Sequence, residues 1–415
     1  MRPSRLVASA RGATVGAVRA QTGGLSPTFW WLWGGTLVNR LGNFVVPFLA
    51  LYVTLGLGRS PEYAGLVLAC AGAGSALGAI SGGWLADRAG RRATLVGSLV
   101  AAAAAMLALG WVRGTVGVAV LAALVGATSH ATRPAISAMV ADVVAAGDRV
   151  RAYGLNYWAA NLGFMVAPVV SGLLAAVSWR ALFVADAMTS LVAAALLWVK
   201  VPETAPGRSK EEAAELVPAG MIDVLRDRTF LMLLGLHVVW ASLLLQFSAT
   251  LPIAMATDGL GSAAYGAVMA FGGGAVVLLQ LPITRLVRDS PASAVLAGGT
   301  LVTGIGFGLT GLAHGLVPYA ATVLVWSVGE IAYVSVVSAM VADLAPVSLR
   351  GRYQGMYTLA WSAAAVIGPG VGGLVLGRLG GGWLWGGCAV AGALAALGQL
   401  GSAGGRRERL AAVSA

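Results

Sequence analysis

The hexapeptide Ser137-Ala-Met-Val-Ala-Asp142 returns unchanged as Ser338–Asp343, 201 residues further along the chain. With the same offset, residues 137–172 align without a gap to residues 338–373, and 13 of the 36 positions are identical. A repeat of this length in a chain of 415 residues indicates two half-proteins joined end to end.

The composition requires an apolar environment. The chain is 58% hydrophobic and 10% charged, with a mean hydropathy of +0.83, whereas soluble domains carry about 25% charged residues. Apolar runs of membrane-crossing length predict twelve helices, because unpaired backbone is too costly in hydrocarbon. We therefore expect an all-α membrane protein with two pseudo-symmetric six-helix bundles. The predicted parts are an N-terminal tail (1–27), the first bundle (28–199), a linker (200–228), the second bundle (229–402) and a C-terminal tail (403–415).

The cations are distributed unevenly between the two ends of the predicted helices. The two tails, the linker and alternate loops hold 21 of the 27 Lys and Arg residues, and the opposite loops hold four. The positive-inside rule then places both termini and the linker in the cytoplasm, in a multi-pass protein of the inner (plasma) membrane. The net charge of +11 follows from this topology and predicts no nucleic-acid partner.

The sequence lacks the residues that several classes of protein require for their function. The two cysteines lie in apolar runs and the three histidines are scattered, so we predict no metal site and no disulfide. A phosphate-binding loop is absent from the sequence, and no nucleophile with a base is visible. We expect a transporter without cofactors, since large internal symmetry in a membrane protein is typical of transporters. A membrane enzyme and a transporter-like receptor are the rival classes.

The loop after the second helix reads Gly83-Trp-Leu-Ala-Asp87-Arg88-Ala-Gly90-Arg91-Arg92. It resembles the signature loop of the major facilitator superfamily, G-x-L-a-D-r-x-G-r-r, at the position that the family has it. The resemblance implies twelve helices and alternating access. We expect a conformational latch in which Asp87 binds a helix N-terminus or an arginine. The predicted latch residues are Gly83, Asp87, Arg88, Gly90, Arg91, Arg92, Asp142 and Asp343, the last two facing Arg149, Arg151, Arg350 and Arg352.

Two further stretches are similar to a motif of the drug/proton antiporter branch, g-x-x-x-G-P-x-x-G-G. Span 5 carries Gly163, Pro168 and Gly172, with Ala167 and Ser171 in place of two glycines. Span 11 has the fuller copy, with Gly368, Pro369, Gly372 and Gly373. Small residues let helices approach closely, and proline bends them, so we expect these positions to pack helices together.

Charged side chains inside a membrane cost free energy, so each one indicates a structural or functional role. The resemblance implies that spans 1, 4, 7 and 10 line a central cavity, and most intramembrane polar residues fall on these four spans. We predict a substrate cavity lined by Asn39, Arg40, Asn43, His130, Arg133, His237, Gln246, Trp326 and Glu330.

Glu330 is the predicted proton carrier, with Arg133 and Asp186 as its partners in coupling. A carboxylate that alternates between wet and dry surroundings can load and release one proton per cycle. In the alternative, Glu330 is a structural partner of Arg40 or Arg133. We expect either a salt bridge or a water-mediated bridge between Arg133 and Glu330. Arg40 either holds an anionic substrate group or neutralises Glu330 or Asp186.

These observations predict a secondary transporter that exports small amphipathic molecules by proton antiport. The alternative is a proton-coupled uptake symporter for zwitterionic or anionic solutes such as peptides or organic acids. The expected partners are the lipid bilayer, a small-molecule substrate and protons, and we expect a monomer.

Overall fold

The computed structural model describes residues 24–145, 148–204, 221–346 and 349–414. Most of the predicted N-terminal tail (1–23), the middle of the linker (205–220) and residue 415 lie outside the described residues. The described part contains twelve helices that are long and apolar enough to cross a membrane, and the predicted fold is confirmed. These spans 1 to 12 are Pro27–Gly56, Pro61–Arg88, Arg91–Trp111, Thr115–Val143, Arg151–Val177, Trp179–Lys200, Arg228–Thr257, Ser262–Val287, Ala292–Leu312, Leu316–Leu344, Arg352–Leu379 and Gly381–Gly401.

The first helix of each half begins at an equivalent cap. Ser26 Oγ accepts the N–H of Phe29 at 3.2 Å, and Asp227 Oδ1 accepts the N–H of Phe230 at 3.0 Å. Both pairs are related by the offset of 201 residues. A side-chain oxygen here satisfies an N–H that has no partner within the helix, so each cap fixes where its bundle begins.

Spans 1 and 7 are broken at equivalent points. Span 1 consists of a helix at Pro27–Leu41 and a second helix at Val45–Leu51 that continues as a π-helical turn. Span 7 consists of Arg228–Leu244, Gln246–Ala249 and Leu251–Thr257. Irregular backbone at membrane depth is tolerated where it is buried in protein or lines a cavity. Paired breaks of this kind point to the site between the halves of a transporter.

The two halves meet mainly through two helix crossings, span 2 with span 11 and span 5 with span 8. A Cβ added at Gly65 would lie 2.5 Å from the carbonyl oxygen of Pro369, and one added at Gly266 would lie 2.3 Å from that of Pro168. The offset of 201 residues converts each contact into the other. The crossings are therefore copies of one contact, related by the pseudo-twofold axis between the halves.

A second pair of glycines completes the crossings. A Cβ at Gly373 would lie 2.6 Å from the Pro61 oxygen, and one at Gly172 would lie 2.8 Å from the Ser262 oxygen. Ser262 Oγ also donates to the Gly172 oxygen at 3.2 Å. All these contacts lie towards the arginine-poor end of the bundle, which we define by the loops at 57–60, 112–114, 258–261 and 313–315. In this structure the halves are closed at the arginine-poor end.

We expect Gly373→Ala to open this closed end. The added methyl group would collide with backbone atoms of span 2, which cannot rotate away as a side chain would. Nitroxide labels on cysteines placed at the exposed positions 59 and 378, in a chain lacking Cys70 and Cys388, should show a longer distance by double electron–electron resonance.

Gly387→Ala is the matched control, because a Cβ at Gly387 meets nothing within 4 Å. Its label distance should equal that of the unsubstituted chain. Equal distances in Gly373→Ala would show that the crossing does not hold the end closed.

Candidate functional site

A central cavity of about 470 Å³ lies between the halves. Its first wall includes Arg40 of span 1 and Arg133 of span 4, and its second wall includes Glu330 of span 10. A neighbouring cavity of about 580 Å³ shares Arg133 and Trp361 with it. Both volumes are in the range of small-molecule sites, so there is room for a cargo between the halves.

The three charged side chains of the cavity do not pair with one another. Among the described residues, the side chains of Arg40, Arg133 and Glu330 make no ion pair and no hydrogen bond. A direct Arg133–Glu330 salt bridge is therefore not formed in this state, and a water-mediated bridge stays a prediction. The two arginines lie on the first half and the glutamate on the second, so the closed crossings hold them on opposite walls. The cavity carries one more cation than anion.

The other predicted lining residues divide between two places. Asn43 and Trp326 line the central cavity. Asn39 and His130 line a side cavity of about 180 Å³ within the first half, together with Asp186. His130 also lines the neighbouring cavity of about 580 Å³ between the halves. Sequence reasoning missed further polar residues of the central wall, because neither a charge nor a motif marks them: Asn161, Gln280 and Ser327.

His237 does not line the central cavity, which corrects its prediction. Its side chain is 0% exposed, and its Nδ1 lies 3.2 Å from the Tyr333 hydroxyl. The rings of Trp240, Tyr357 and Trp361 surround it. His237 faces into the second half, and an aromatic cluster separates it from the gap between the halves.

Gln246 is also a packing residue rather than a cavity residue. Its Nε2 donates to the Gly368 oxygen at 2.8 Å, and its Oε1 accepts from Thr250 Oγ1 at 2.9 Å. A Cβ at Gly372 would lie 2.1 Å from this Oε1. The amide thus joins the break of span 7 to the glycine motif of span 11.

Asp186 covers the break in span 1. Its Oδ2 accepts the backbone N–H groups of Phe44 and Val45, each at 2.9 Å, where the second helix of span 1 begins. The side chain is 3% exposed. Carboxylates suit helix N-termini because the N–H groups there lack partners within the helix. Asp186 therefore holds the broken span, and its place in proton coupling remains a prediction.

Only glycine fits at the break itself. A Cβ at Gly42 would lie 1.9 Å from Thr189 Oγ1 of span 6. The close approach of spans 1 and 6 at this point brings Asp186 over the exposed N–H groups. It also leaves Arg40, two residues earlier, at the wall of the central cavity.

At the arginine-rich end, the signature loop makes an ion pair with the repeated hexapeptide. Arg91 Nη1 contacts Asp142 Oδ2, and it also donates to the Ala138 oxygen at 3.2 Å. Asp142 was expected to face Arg149, which instead donates to the Ala141 oxygen at 2.8 Å. Asp343 has no such partner among the described residues, because the position equivalent to Arg91 is Ala292.

Glu203, which sequence reasoning left without a role, occupies the place expected for Asp87. Its carboxylate accepts the N–H groups of Arg91, Arg92 and Ala93 at 2.8, 3.1 and 3.2 Å, at the start of span 3. A Cβ at Gly90, whose φ is +98°, would lie 2.6 Å from Glu203 Oε2. Asp87 is exposed and makes no hydrogen bond or ion pair among the described residues.

The remaining loop residues lie at the surface or in packing. Arg88 lies over the Trp84 ring at 4.3 Å, and Arg92 lies over the Trp198 ring at 4.1 Å. A Cβ at Gly83 would make an ordinary contact of 3.9 Å with Pro134. Gly163 of span 5 packs on the backbone of span 1, since a Cβ there would lie 2.7 Å from the Arg40 oxygen.

Comparison with known proteins matches the chain to one family. The model of the Major Facilitator Superfamily matches residues 32–331 and, again, 247–403. The uncharacterised MFS-type transporter YqjV of Bacillus subtilis (strain 168) is 28% identical over 86% of this chain and 88% of its own. A Na⁺, Li⁺, K⁺/H⁺ antiporter of Planococcus maritimus is 24% identical over 81% and 86%. Among solved structures, the POT family transporter PepTSo superimposes with a TM-score of 0.78 at 15% identity, covering 92% and 98%. That likeness shows the fold alone.

We expect Asp186→Ala to destabilise the protein. It would leave the buried N–H groups of Phe44 and Val45 without a partner, at about 1–3 kcal/mol for each group. Asp186→Asn keeps one acceptor and should lose less. The thermal unfolding midpoint of the purified protein measures both, and Asp289→Ala at an exposed position is the control. An unchanged midpoint in Asp186→Ala would remove the proposed cap.

Glu203 predicts a pH-dependent stability. Burial raises the pKa of its carboxyl, but hydrogen bonds from the N–H groups of Arg92, Ala93, Arg91 and Thr204 outweigh burial and hold the pKa below its usual value. A lowered pKa stabilises the fold above the ordinary value of 4.5 and loses that effect as the pH falls through the folded value.

The free energy of unfolding of the unsubstituted chain, minus that of Glu203→Gln, should therefore be constant near neutral pH and shrink below about pH 4.5. Unfolding in denaturant at a series of pH values measures this difference. Glu408→Gln, at an exposed position, should show no such trend. A difference that grows on acidification would have the wrong sign for this cap.

Proposed function

The chain belongs to the Major Facilitator Superfamily and is a membrane transporter of that type, and we propose that it exports small amphipathic molecules in exchange for protons. One observation carries the proposal. The carboxylate of Glu330 faces the cavity between the halves, with no hydrogen bond or ion pair among the described residues. An acid without a fixed partner is free to exchange a proton with whichever side the cavity opens to.

Transport also requires that the cavity can open to either side of the membrane in turn, and the closed crossings are suited to such opening. The halves touch at the arginine-poor end through close backbone contacts and through Tyr265 of span 8, whose ring packs on Phe48 and whose hydroxyl donates to the Pro47 oxygen at 3.3 Å. No ion pair joins the halves there among the described residues. Such a contact can open without separating charges in a medium of low dielectric constant. We propose that the arginine-rich end faces the cytoplasm of the plasma membrane, in line with the positive-inside rule.

Exchange requires that the cargo and the proton exclude each other. A cargo that donates a hydrogen bond or a positive charge to ionised Glu330 cannot bind when Glu330 carries a proton. The inward proton gradient would then displace the cargo outwards in each cycle. The similarity to a proton antiporter and the antiporter-like motif of span 11 support this direction.

Uptake by symport is the second candidate, and the arginine pair favours it. An organic anion on Arg40 and Arg133 would bind more tightly when Glu330 is protonated and neutral, because the repulsion between the two anions is removed. Cargo and proton would then bind together and move in the same direction.

We expect Glu330→Gln to abolish transport driven by a proton gradient while leaving the exchange of labelled for unlabelled cargo intact. Purified protein in liposomes, with pyranine inside to report the lumenal pH, would be tested with amphipathic probes of each charge type. The flux driven by a pH gradient should fall to the level of empty liposomes. Counterflow of labelled probe at equal pH should persist.

Glu408→Gln is the matched control, since Glu408 is exposed in the helix Ala403–Ser414 that follows span 12. Full gradient-driven flux in Glu330→Gln would overturn the proton assignment. Probe accumulation in the same direction as the proton movement would replace export by symport.

A further inference from the structure

The arginine pair lies where an uncompensated charge is expensive. Arg40 and Arg133 both line the central cavity and two smaller ones of about 180 and 160 Å³. Insertion scales put a central arginine at roughly 2.5–3.5 kcal/mol. The two guanidinium groups also repel each other, and neither has an anionic partner among the described residues.

The nearby carboxylates make no ion pair with these arginines among the described residues. Glu330 lies on the opposite wall. Asp186 lines the cavity of about 180 Å³ with both arginines, but its Oδ2 accepts the N–H groups of Phe44 and Val45. Guanidinium groups bind carboxylates in a forked geometry, with charge-assisted hydrogen bonds. An anionic group of the cargo would supply the missing counter-charge.

The proposed exchange of cargo for protons predicts a second charged or polar group on the cargo, besides the anionic one. In proton exchange, the cargo must compete with the proton for Glu330, and this requires a cationic or strongly donating group opposite the arginines. The rest of the wall is largely apolar and aromatic, with Phe164, Trp326 and Trp361 among its members. These rings suit an apolar body between the two charged ends.

We propose that the cargo is an amphipathic zwitterion, whose carboxylate binds Arg40 and Arg133 and whose ammonium group binds ionised Glu330. This assignment rests on the proposed proton exchange and deepens it by naming the substrate class. It also explains the excess of arginine, since a cavity for lipophilic cations would be expected to carry net negative charge.

Four probes with one body test the two ends separately. The probes are 2-naphthylalanine (zwitterion), its amide (cation), its N-acetyl form (anion) and the N-acetyl amide (neutral). Calorimetric titration of the purified protein at neutral pH should rank the zwitterion first. Blocking either end should weaken binding at least about tenfold, which corresponds to about 1.4 kcal/mol.

Variants assign each preference to its residue through double-mutant cycles. Arg40→Gln and Arg133→Gln should lose the preference for a free carboxylate and keep that for a free ammonium group. Glu330→Gln should do the reverse. Arg40→Lys retains the positive charge but not the forked guanidinium geometry. Its preference for a free carboxylate should lie between that of the unsubstituted chain and that of Arg40→Gln. Arg288→Gln, at an exposed position, should bind all four probes as the unsubstituted chain does.

The pH dependence gives a further readout. Binding of the zwitterion should weaken on acidification, because protons take its place on Glu330, and Glu330→Gln should remove this dependence. Equal binding of the four probes, or a carboxylate preference that survives both arginine variants, would overturn the assignment.

The outcomes separate this inference from the proposed function. Gradient-driven flux that needs Glu330, together with no preference for the zwitterion, would leave proton exchange standing and overturn the cargo class. Zwitterion binding with the expected variant pattern, but without any flux under a pH gradient, would uphold the binding site and overturn proton exchange.

Discussion

The structure depends on one backbone contact made twice, in which a glycine of one half lies against a proline carbonyl of the other. Gly65 meets Pro369, and Gly266 meets Pro168. The hydrophobic effect does not drive helices together in lipid, so close packing and weak Cα–H···O contacts of about 0.5–1 kcal/mol each contribute to holding the halves together. Such contacts require glycine and are easily reversed. The hydrogen bonds from Ser262 to Gly172 and from Tyr265 to Pro47 add to them. The cavity exists because the halves touch at this end while their polar walls lie apart.

The symmetry of the scaffold contrasts with the asymmetry of its charges. The offset of 201 residues relates the crossings, the caps at Ser26 and Asp227, and the breaks in spans 1 and 7. It relates Glu330 only to Ser129, and Arg133 only to Val334. The arginine-rich end shows the same pattern, since Arg91 contacts Asp142 while Asp343 has Ala292 at the equivalent place. Two copies of one bundle have kept what builds the halves and changed what lies between them.

Sequence reasoning predicted the spans because hydrocarbon thickness fixes helix length and composition. It placed Glu330, Arg40 and Arg133 in the cavity because charges at membrane depth need polar surroundings. It misplaced His237 and Gln246, since it could name their span but not the face of the helix on which they lie. It left Glu203 without a role because its partners are backbone N–H groups, which carry no signature in sequence.

The two spans are broken at equivalent points but are stabilised there by different chemistry, and these interactions constrain how the transporter can move. At Gly42 of span 1, a carboxylate from span 6 covers two N–H groups, and these groups would be left without a partner if the two spans separated. At the break of span 7, the neutral amide of Gln246 reaches span 11. The Asp186 bonds lie within the first half and the Gln246 bond lies within the second, so none of them crosses the gap between the halves. Opening the crossings therefore leaves each break intact, and rocking of the halves as rigid bodies requires less free energy than unwinding of the broken helices.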